Sequence, residues 1–323
     1  MHNAMIREVF FPSFSHVYGL VSAVLLSAYF GAHITAMPTF SFESYLSRCA
    51  EIRATGLKLV PATAVRMTKD PSLKSLDLTS VKYAQITGAP LSSDVAADLK
   101  RMLPDAAVTN GFGMSEATIT FLREMRSSEK AGSVGRPAAG VSIRIVDDQG
   151  QDVEPGEEGE CLVKGPTVFL KYKNNPEETA KAFRDGWLCT GDVIRMDREG
   201  YVWLTGRKKE LIKYKGNQVP PAELEAVLLT HPLVTDAGVC GVFDQKRETE
   251  VPVGYIVLTE DLKQEEREKV LEQVRKHVDE RVAAYKRLRG GLFVIDALPK
   301  TKSGKLMRGE LPAKVEERRK AKL

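Results

Sequence analysis

Hydrophobic positions follow two rhythms along this chain. In the first 131 residues short apolar runs alternate with stretches of helical spacing. "REVFFP" reads as a short strand, His16–Phe30 as an apolar helix, and "AHITAM" as a buried strand. Phe42–Thr55 has Phe42, Tyr45, Leu46, Cys49 and Ile52 three or four residues apart, the spacing of one helix face. "LKLV", ended by Pro61, and "VKYAQI" are strands. Val95–Met102 is a helix behind the turn "GAPLSSD", and "AAVTNGFG" a strand running into a glycine turn. Such alternation predicts a mostly parallel sheet covered by helices.

From Gly132 to Thr205 the rhythm shortens to two. "SIRIVDDQG", "EPGEEGECLVKG" and "GDVIRMDREGYVWLTG" are short strands cut by turn signals, a β-rich subdomain. After Arg207 a smaller α+β unit follows. It has a helix at Pro221–Thr230, strands "DAGVCGVF" and "VPVGYIVL", a charged helix at Gln264–Arg281 and a strand "GLFVI". The expected organisation is α/β. A large N-terminal region, 1–205, divides into an α/β part, 1–131, and a β-rich part, 132–205. A small C-terminal domain, 206–323, joins it through a hinge near Gly206–Lys209.

Composition changes this picture little. Over 323 residues, 43% hydrophobic and 28% charged are globular values. The net charge of +4, with no basic helix before the C-terminus, does not point to nucleic acid. Cys49, Cys161, Cys189 and Cys240 form no CxxC pair, which argues for reduced thiols rather than a disulfide frame or zinc site. The five histidines make no HExxH pattern. Val9–Phe42 has no Asp, Glu, Lys or Arg. Gly31 and Pro38 interrupt it, so a buried helix and strand are expected, with a membrane span as the competing reading.

Ser303-Gly304-Lys305 tests a phosphate-loop reading and fails it. Pro299 stands where a Walker loop needs its first glycine, and Leu306 where it needs a hydroxyl. Five stretches taken in order carry a stronger signal: "NGFGMSE" (Asn110–Glu116), "GWLCTGD" (Gly186–Asp192), "GRKKELIKYKGNQVPPAELE" (Gly206–Glu225), "EVPVGYIV" (Glu250–Val257) and "PKTKSGKLMR". Together they resemble the adenylate-forming acyl-CoA synthetases, closest to the 4-coumarate:CoA ligase and firefly luciferase group. The resemblance covers nearly the whole chain from "FPSFSHVYGL" onward.

The resemblance implies an enzyme that joins a small carboxylic acid to ATP as an acyl-adenylate, then passes the acyl group to coenzyme A. Phe112 would lie against adenine, within the nucleotide motif Asn110, Gly111, Phe112, Gly113 and Ser115. Ser115 would bond the α-phosphate, and Glu116 would help hold Mg²⁺. Asp192 would accept from both ribose hydroxyls, a bidentate use of a carboxylate, with Arg207 beside it. Lys305 would bridge substrate carboxylate and α-phosphate, which suits a point charge on a long stem. The small domain would turn about Lys209, withdrawing Lys305 and bringing in Lys213 and Gln218. His16 would stand at the mouth of the acyl pocket; a core or helix-capping histidine is the plainer alternative. Tyr18, Gly88, Ala89, Pro90, Gly111 and Gly113 would line that pocket. Read without the family, "GFGMSE" is a glycine turn with a helix N-cap at Ser115, and Lys213 and Gln218 lie on a polar strand-turn surface.

The family's Ser/Thr/Gly-rich phosphate loop, of the form SSGTTGxPKG, is absent from this sequence. The expectation is therefore an N-terminally shortened acyl- or aryl-CoA ligase impaired in adenylation, with sheet edges and apolar surface left uncovered. The alternative is a non-catalytic or auxiliary protein that keeps the fold and binds AMP, coenzyme A or an acyl thioester. The C-terminal Ala321-Lys322-Leu323 resembles the tripeptide read by the peroxisomal import receptor, with cytoplasm as the alternative location.

Overall fold

The computed structural model describes residues 6–70, 73, 75–87, 93–119, 121–122, 130, 132–259, 264–301 and 305–311. The chain divides into two compact units, Met1–Leu204 and Thr205–Leu323.

In the first unit β1 (Arg7–Phe10) leads into a helical segment built of α1 (Val17–Gly19), a π-turn over Leu20–Leu25, and α2 (Leu26–Phe30). There follow β2 (His33–Ala36), α3 (Phe42–Glu51), β3 (Gly56–Leu59), α4 (Pro61–Lys69), β4 (Tyr83–Thr87), α5 (Ser93–Met102) and β5 (Ala107–Gly111). The strands pair in parallel in the order β2-β1-β3-β4-β5. One set of alternating positions is apolar and buried: Val9, Leu57, Leu59, Ala84, Ile86 and Val108. The other set is polar. Register places Glu8 beside Gly56 and Tyr83, Lys58 beside Gln85 and Thr109, and Thr87 beside Gly111.

Several expectations need correction here. The His16–Phe30 segment is not buried all round: Leu20, Leu25, Tyr29 and Phe30 are 48%, 56%, 81% and 59% exposed. β2, expected to be a buried strand, is the sheet edge. It pairs only with β1 and keeps no fully buried residue. Pro61 does not merely end a strand. It opens α4 at the first helical position, where its missing N–H costs nothing, and Thr63 Oγ1 accepts from the Val60 N–H at 2.9 Å. α3 stops at Glu51, short of Thr55, because Arg53 takes a left-handed φ of 49°.

The β-rich part begins with the hairpin β6 (Gly113–Met114) and β7 (Thr118–Ile119). β8 (Phe121–Leu122) pairs with β9 (Arg136–Pro137). Next come β10 (Ser142–Val146), β11 (Glu158–Lys164), α6 (Pro176–Ala182), β12 (Phe183–Arg184), β13 (Trp187–Met196) and β14 (Val202–Arg207). β10-β11-β13-β12 form an antiparallel sheet, with β14 paired to β13. Val134, Cys161, Val163, Leu188, Ile194 and Val202 make its core.

The second unit holds the hairpin β15 (Ile212–Tyr214) and β16 (Asn217–Val219), then α7 (Pro221–Leu229), β17 (Val234–Asp244), β18 (Thr249–Leu258), α8 (Gln264–Asp279) and β19 (Gly291–Val294). β17 and β18 run antiparallel, β18 and β19 parallel. Val239 and Ile256 belong to one core, with Leu224 and Leu228 of α7 and Val274 of α8. Cys240 and Tyr255 belong to another, closed by Leu298 and Leu311. Among the described residues no helix is long and apolar enough to cross a membrane.

Candidate active site

In open parallel sheets ligands bind beyond the carboxyl ends of the strands, where strand order reverses. Here it reverses at β1, which lies between β2 and β3. The segments leaving β1 and β5 at that end carry His16, Tyr18 and Asn110–Glu116. Gly88, Ala89 and Pro90 follow β4 but lie outside the described residues.

His16 caps the helix: its Nδ1 accepts the Tyr18 N–H at 3.1 Å. Neutral imidazole accepting at Nδ1 carries its proton on Nε2. The side chain is exposed. Tyr18 turns its hydroxyl onto Gln85 Oε1 at 3.1 Å. Burial, and the Glu8 carboxylate nearby, push that hydroxyl well above its ordinary pKa.

β5 ends in Asn110, which is buried, and Gly111. Gly113 starts the β6–β7 hairpin, where a Cβ would stand 2.4 Å from the Thr118 carbonyl oxygen, so only glycine fits. No helix follows Ser115. It occupies the hairpin turn and is exposed, which removes the N-cap reading. Phe112 and Met114 pack on the core of the β-rich part. Glu116 is fixed at both ends. Its carbonyl accepts from the Phe169 N–H at 2.8 Å, and its Oε1 accepts from the Tyr172 hydroxyl at 2.8 Å. Burial and this hydrogen bond push Tyr172 up to about 12.

Asp192 is 1% exposed, with Oδ2 shut from solvent. A β-bulge presents it. Glu160 faces Val193 and Leu162 faces Cys189, so β13 carries extra residues there, turning at Gly191 with φ 70°. Thr190 locks the bulge by donating to the Cys161 carbonyl at 2.8 Å and accepting the Asp192 N–H at 3.1 Å. Burial, with the Asp192 charge beside it, holds the Cys161 thiol well above its ordinary value.

The remaining predicted residues belong to the second unit. Arg207, exposed, precedes the turn in which Lys209 sits; that turn closes through Glu210 N–H to the Arg207 carbonyl at 2.9 Å. Lys213 and Gln218 are direct cross-strand partners in the β15–β16 hairpin, and both side chains are exposed. The hairpin turns on Lys215 and Gly216 at φ 46° and 81°, the left-handed pair of a tight two-residue turn. Lys305 is exposed. Its N–H donates to Thr301 Oγ1 at 3.1 Å, and its carbonyl accepts the Thr301 N–H at 2.8 Å. Ser303 and Gly304 lie outside the described residues.

Three features escaped the sequence reading. Arg308, half-buried, pairs with Glu225 and Glu210 and donates to the Val239 carbonyl, pinning the chain just past Lys305. Tyr172 orients Glu116 across 56 residues. Glu8, Lys58, Tyr83 and Gln85 join beneath Tyr18. None has a local signal, because each partner comes from a distant element. A cavity of about 580 Å³ lies elsewhere in the first unit, lined by Met67, Lys69, Leu73, Val81 and Leu103, and contains none of the predicted site residues.

A glycine turn thus lies beyond a parallel sheet, and the Asp192 carboxylate is buried on the antiparallel sheet that follows it in the chain. The AMP-binding enzyme family matches residues 6–173 and the AMP-binding enzyme C-terminal domain residues 223–305. The chain belongs to the AMP-binding enzyme family. It is similar to 4-coumarate–CoA ligase 1 of Glycine max (34% identity over 88% of this chain and 97% of that protein). It is also similar to Peroxisomal OPC-8:0-CoA ligase 1 of Arabidopsis thaliana (35% over 92% of this chain and 54% of that protein). Among solved structures, an anthranilate CoA ligase in complex with anthranoyl-AMP superposes with a TM-score of 0.86 at 28% identity, over 96% of this chain and 60% of that one. The chain spans about half the length of most curated relatives it matches.

Proposed function

We propose that this chain is an acyl- or aryl-CoA ligase component. It binds a small carboxylic acid as its adenylate and passes the acyl group to coenzyme A. The observation that carries this reading is the "NGFGMSE" turn beyond the carboxyl end of β5, within a chain that matches both parts of the family.

Phe112 lies against adenine, Ser115 donates to the α-phosphate and Asp192 accepts from the ribose hydroxyls. Arg207 adds charge beside them. Burial favours Asp192 as the ribose acceptor, because a carboxylate held out of water gains most from two hydroxyl donors. Mg²⁺, when present with ATP, supplies neutralising charge. Among the described residues no cluster of three acidic, histidine or cysteine side chains offers it a cage. One carboxylate with water and phosphate suffices for this ion, and Glu116, its Oε1 held by Tyr172, fits that role. Lys305 bridges the carboxylate and α-phosphate during adenylation, while Lys213 and Gln218 serve thioester formation. Turning at Lys209 exchanges the two. His16, capping the helix through Nδ1, offers its Nε2 proton at the acyl end, and Tyr18 lines the pocket with Gly88, Ala89, Pro90, Gly111 and Gly113. Ala321-Lys322-Leu323 supports peroxisomal import, as does the similarity to a peroxisomal OPC-8:0-CoA ligase; this tail lies outside the described residues.

A polypeptide of these 323 residues alone contains no phosphate loop, so in the test below it is expected to adenylate slowly from ATP and to keep transfer from a supplied adenylate. The test supplies a synthetic acyl-adenylate plus coenzyme A, and separately acid, ATP and coenzyme A. Thioester should form above background only in the first reaction. Lys213→Ala should reduce it, and Lys305→Ala should barely change it. Thioester from neither mixture would overturn the ligase reading and leave the auxiliary binding role. Fast product from acid and ATP, lost in Lys305→Ala, would overturn the expected impairment.

A further inference from the structure

Lys58 and Lys69 carry their amines into the first unit in different ways. Lys58 is buried on the polar face of the sheet, where its Nζ pairs with Glu8 at 2.9 Å and donates to Gln85 Oε1 at 2.8 Å. The Tyr83 hydroxyl donates to the same Glu8 oxygen. Lys69, half-buried at the end of α4, lines the cavity of about 580 Å³ instead. That volume falls within the usual range of small-ligand pockets, about 300–1,000 Å³.

The lining residues place this cavity away from the candidate active site. Val81 stands just before β4, and Leu103, Pro104 and Asp105 just before β5, so the cavity lies at the amino ends of these strands. Asn110–Glu116 leave β5 at the opposite end of the sheet. The apolar walls are Leu73, Leu78, Val81 and Leu103, all buried, and Met102, 38% exposed, also lines the space. Burial lowers the Lys69 amine to about 8, against the opposing charge of Asp98 on α5. Asp70 and Asp105 line the same cavity.

A lysine desolvated beside apolar side chains is a ready nucleophile. At about pH 7.5 an amine titrating near 8 is about one quarter neutral, and an ordinary lysine about one thousandth. Lower basicity gives back part of that gain, so a rate advantage of about tenfold remains.

We propose that Lys69 is an acylation site for thioesters whose acyl group is hydrophobic. The hydrocarbon part lies between Leu73, Leu78, Val81 and Leu103, and the Lys69 nitrogen attacks the thioester carbonyl carbon. A C–N bond forms, the C–S bond breaks, and the proton lost by the amine leaves on the sulfur as a free thiol. The product is an amide that has lost the lysine charge. Acyl thioesters are the product class of the functional reading above, but the site acts on any such thioester supplied to it.

The probes are the hydrocinnamoyl and acetyl thioesters of N-acetylcysteamine. They are incubated with the full chain, and acylation is followed residue by residue by peptide mass spectrometry. Exposed Lys171 and Lys173 serve as internal references. Acetylation of Lys69 is expected to run about tenfold faster than that of either reference, as the neutral fraction requires. Hydrocinnamoylation should widen the margin about tenfold further, the worth of covering much of an aromatic ring. Met102→Trp, at an exposed lining position, should fill the cavity and remove the further margin while leaving the first. Acylation of Lys69 no faster than that of Lys171 and Lys173, or with one margin for both thioesters, would overturn the proposal. These wild-type comparisons decide it whether or not the variant folds. A folded Met102→Trp that keeps the whole margin would overturn it as well. Because the thioesters are supplied, failure of the ligase reading leaves this outcome untouched.

Discussion

The two units bury their sheets in opposite ways. In the second unit both faces of β17-β18-β19 are apolar, one closed by α7 and α8 and the other by the segment carrying Leu298 and Leu311. In the first unit one face of the parallel sheet is apolar and the other holds an ion pair, two tyrosines and a glutamine. An apolar interior is the economical solution, since a buried pair often does no better than hydrophobic side chains of the same size. A polar face is expected where something else must be recognised. The small unit's sheet is thus apolar on both faces, and the large unit's is apolar on one face and polar on the other.

The largest expected effect tests whether that polar face is a true buried network. Lys58→Met leaves Glu8 unpaired and should cost about 3–5 kcal/mol. Urea unfolding followed by tryptophan fluorescence reports on the first unit, because both tryptophans, Trp187 and Trp203, lie in it. A loss near zero would mean the pair is solvated and the contrast between the units is false. In the second unit Leu228→Ala, fully buried, should cost about 3 kcal/mol through cavity formation. Its loss should show in the far-ultraviolet dichroism while tryptophan emission keeps its wild-type midpoint. Coincident shifts would show that the units unfold as one.

A smaller effect sharpens the contrast through pH. Burial lowers Lys69 to about 8. Below pH 8 both folded and unfolded chains carry its proton and the folded state bears the desolvation cost. Between about 8 and its unfolded value near 10.4 the unfolded chain binds more protons, so stability rises with pH. Lys69→Met should raise the melting temperature at pH 7 and flatten that rise. An unchanged pH slope would place the amine in water. The smallest effect belongs to the uncovered helix. Leu25→Ser with Phe30→Ser should change stability by less than about 0.5 kcal/mol while reducing self-association in sedimentation. A loss of several kcal/mol would show that those side chains are covered in solution.

The legible parts of this molecule were those with a local period. β17, β18, α7 and α8 each carry their burial pattern in consecutive residues, and their positions agree with the sequence reading. α4 was missed because "PATAVRMTK" follows a strand directly and its proline looks like a terminator. The exposed face of Leu20–Phe30 was illegible because an apolar run does not say which of its sides will be covered. The motif at Asn110–Glu116 was visible as a glycine turn, but its rigidity comes from Phe169 and Tyr172, and no spacing links those to Glu116. Gln85 reads as one polar residue in an apolar strand. Its meaning needs Lys58 from β3 and Tyr18 from the helix.

The π-turn at Leu20–Leu25 has a consequence for how this chain could change. A π-turn is an α-helix holding one residue too many. Deleting any one residue of that turn would restore the ordinary ladder and rotate Leu26–Phe30 by about 100° relative to Tyr18. The hydroxyl on Gln85 would stay in place while Tyr29 and Phe30 moved to another side of the helix. A single codon therefore separates two arrangements of the outer surface over one unchanged Tyr18–Gln85 contact, and insertion or loss of a residue there would be a larger evolutionary step than any substitution along the same helix.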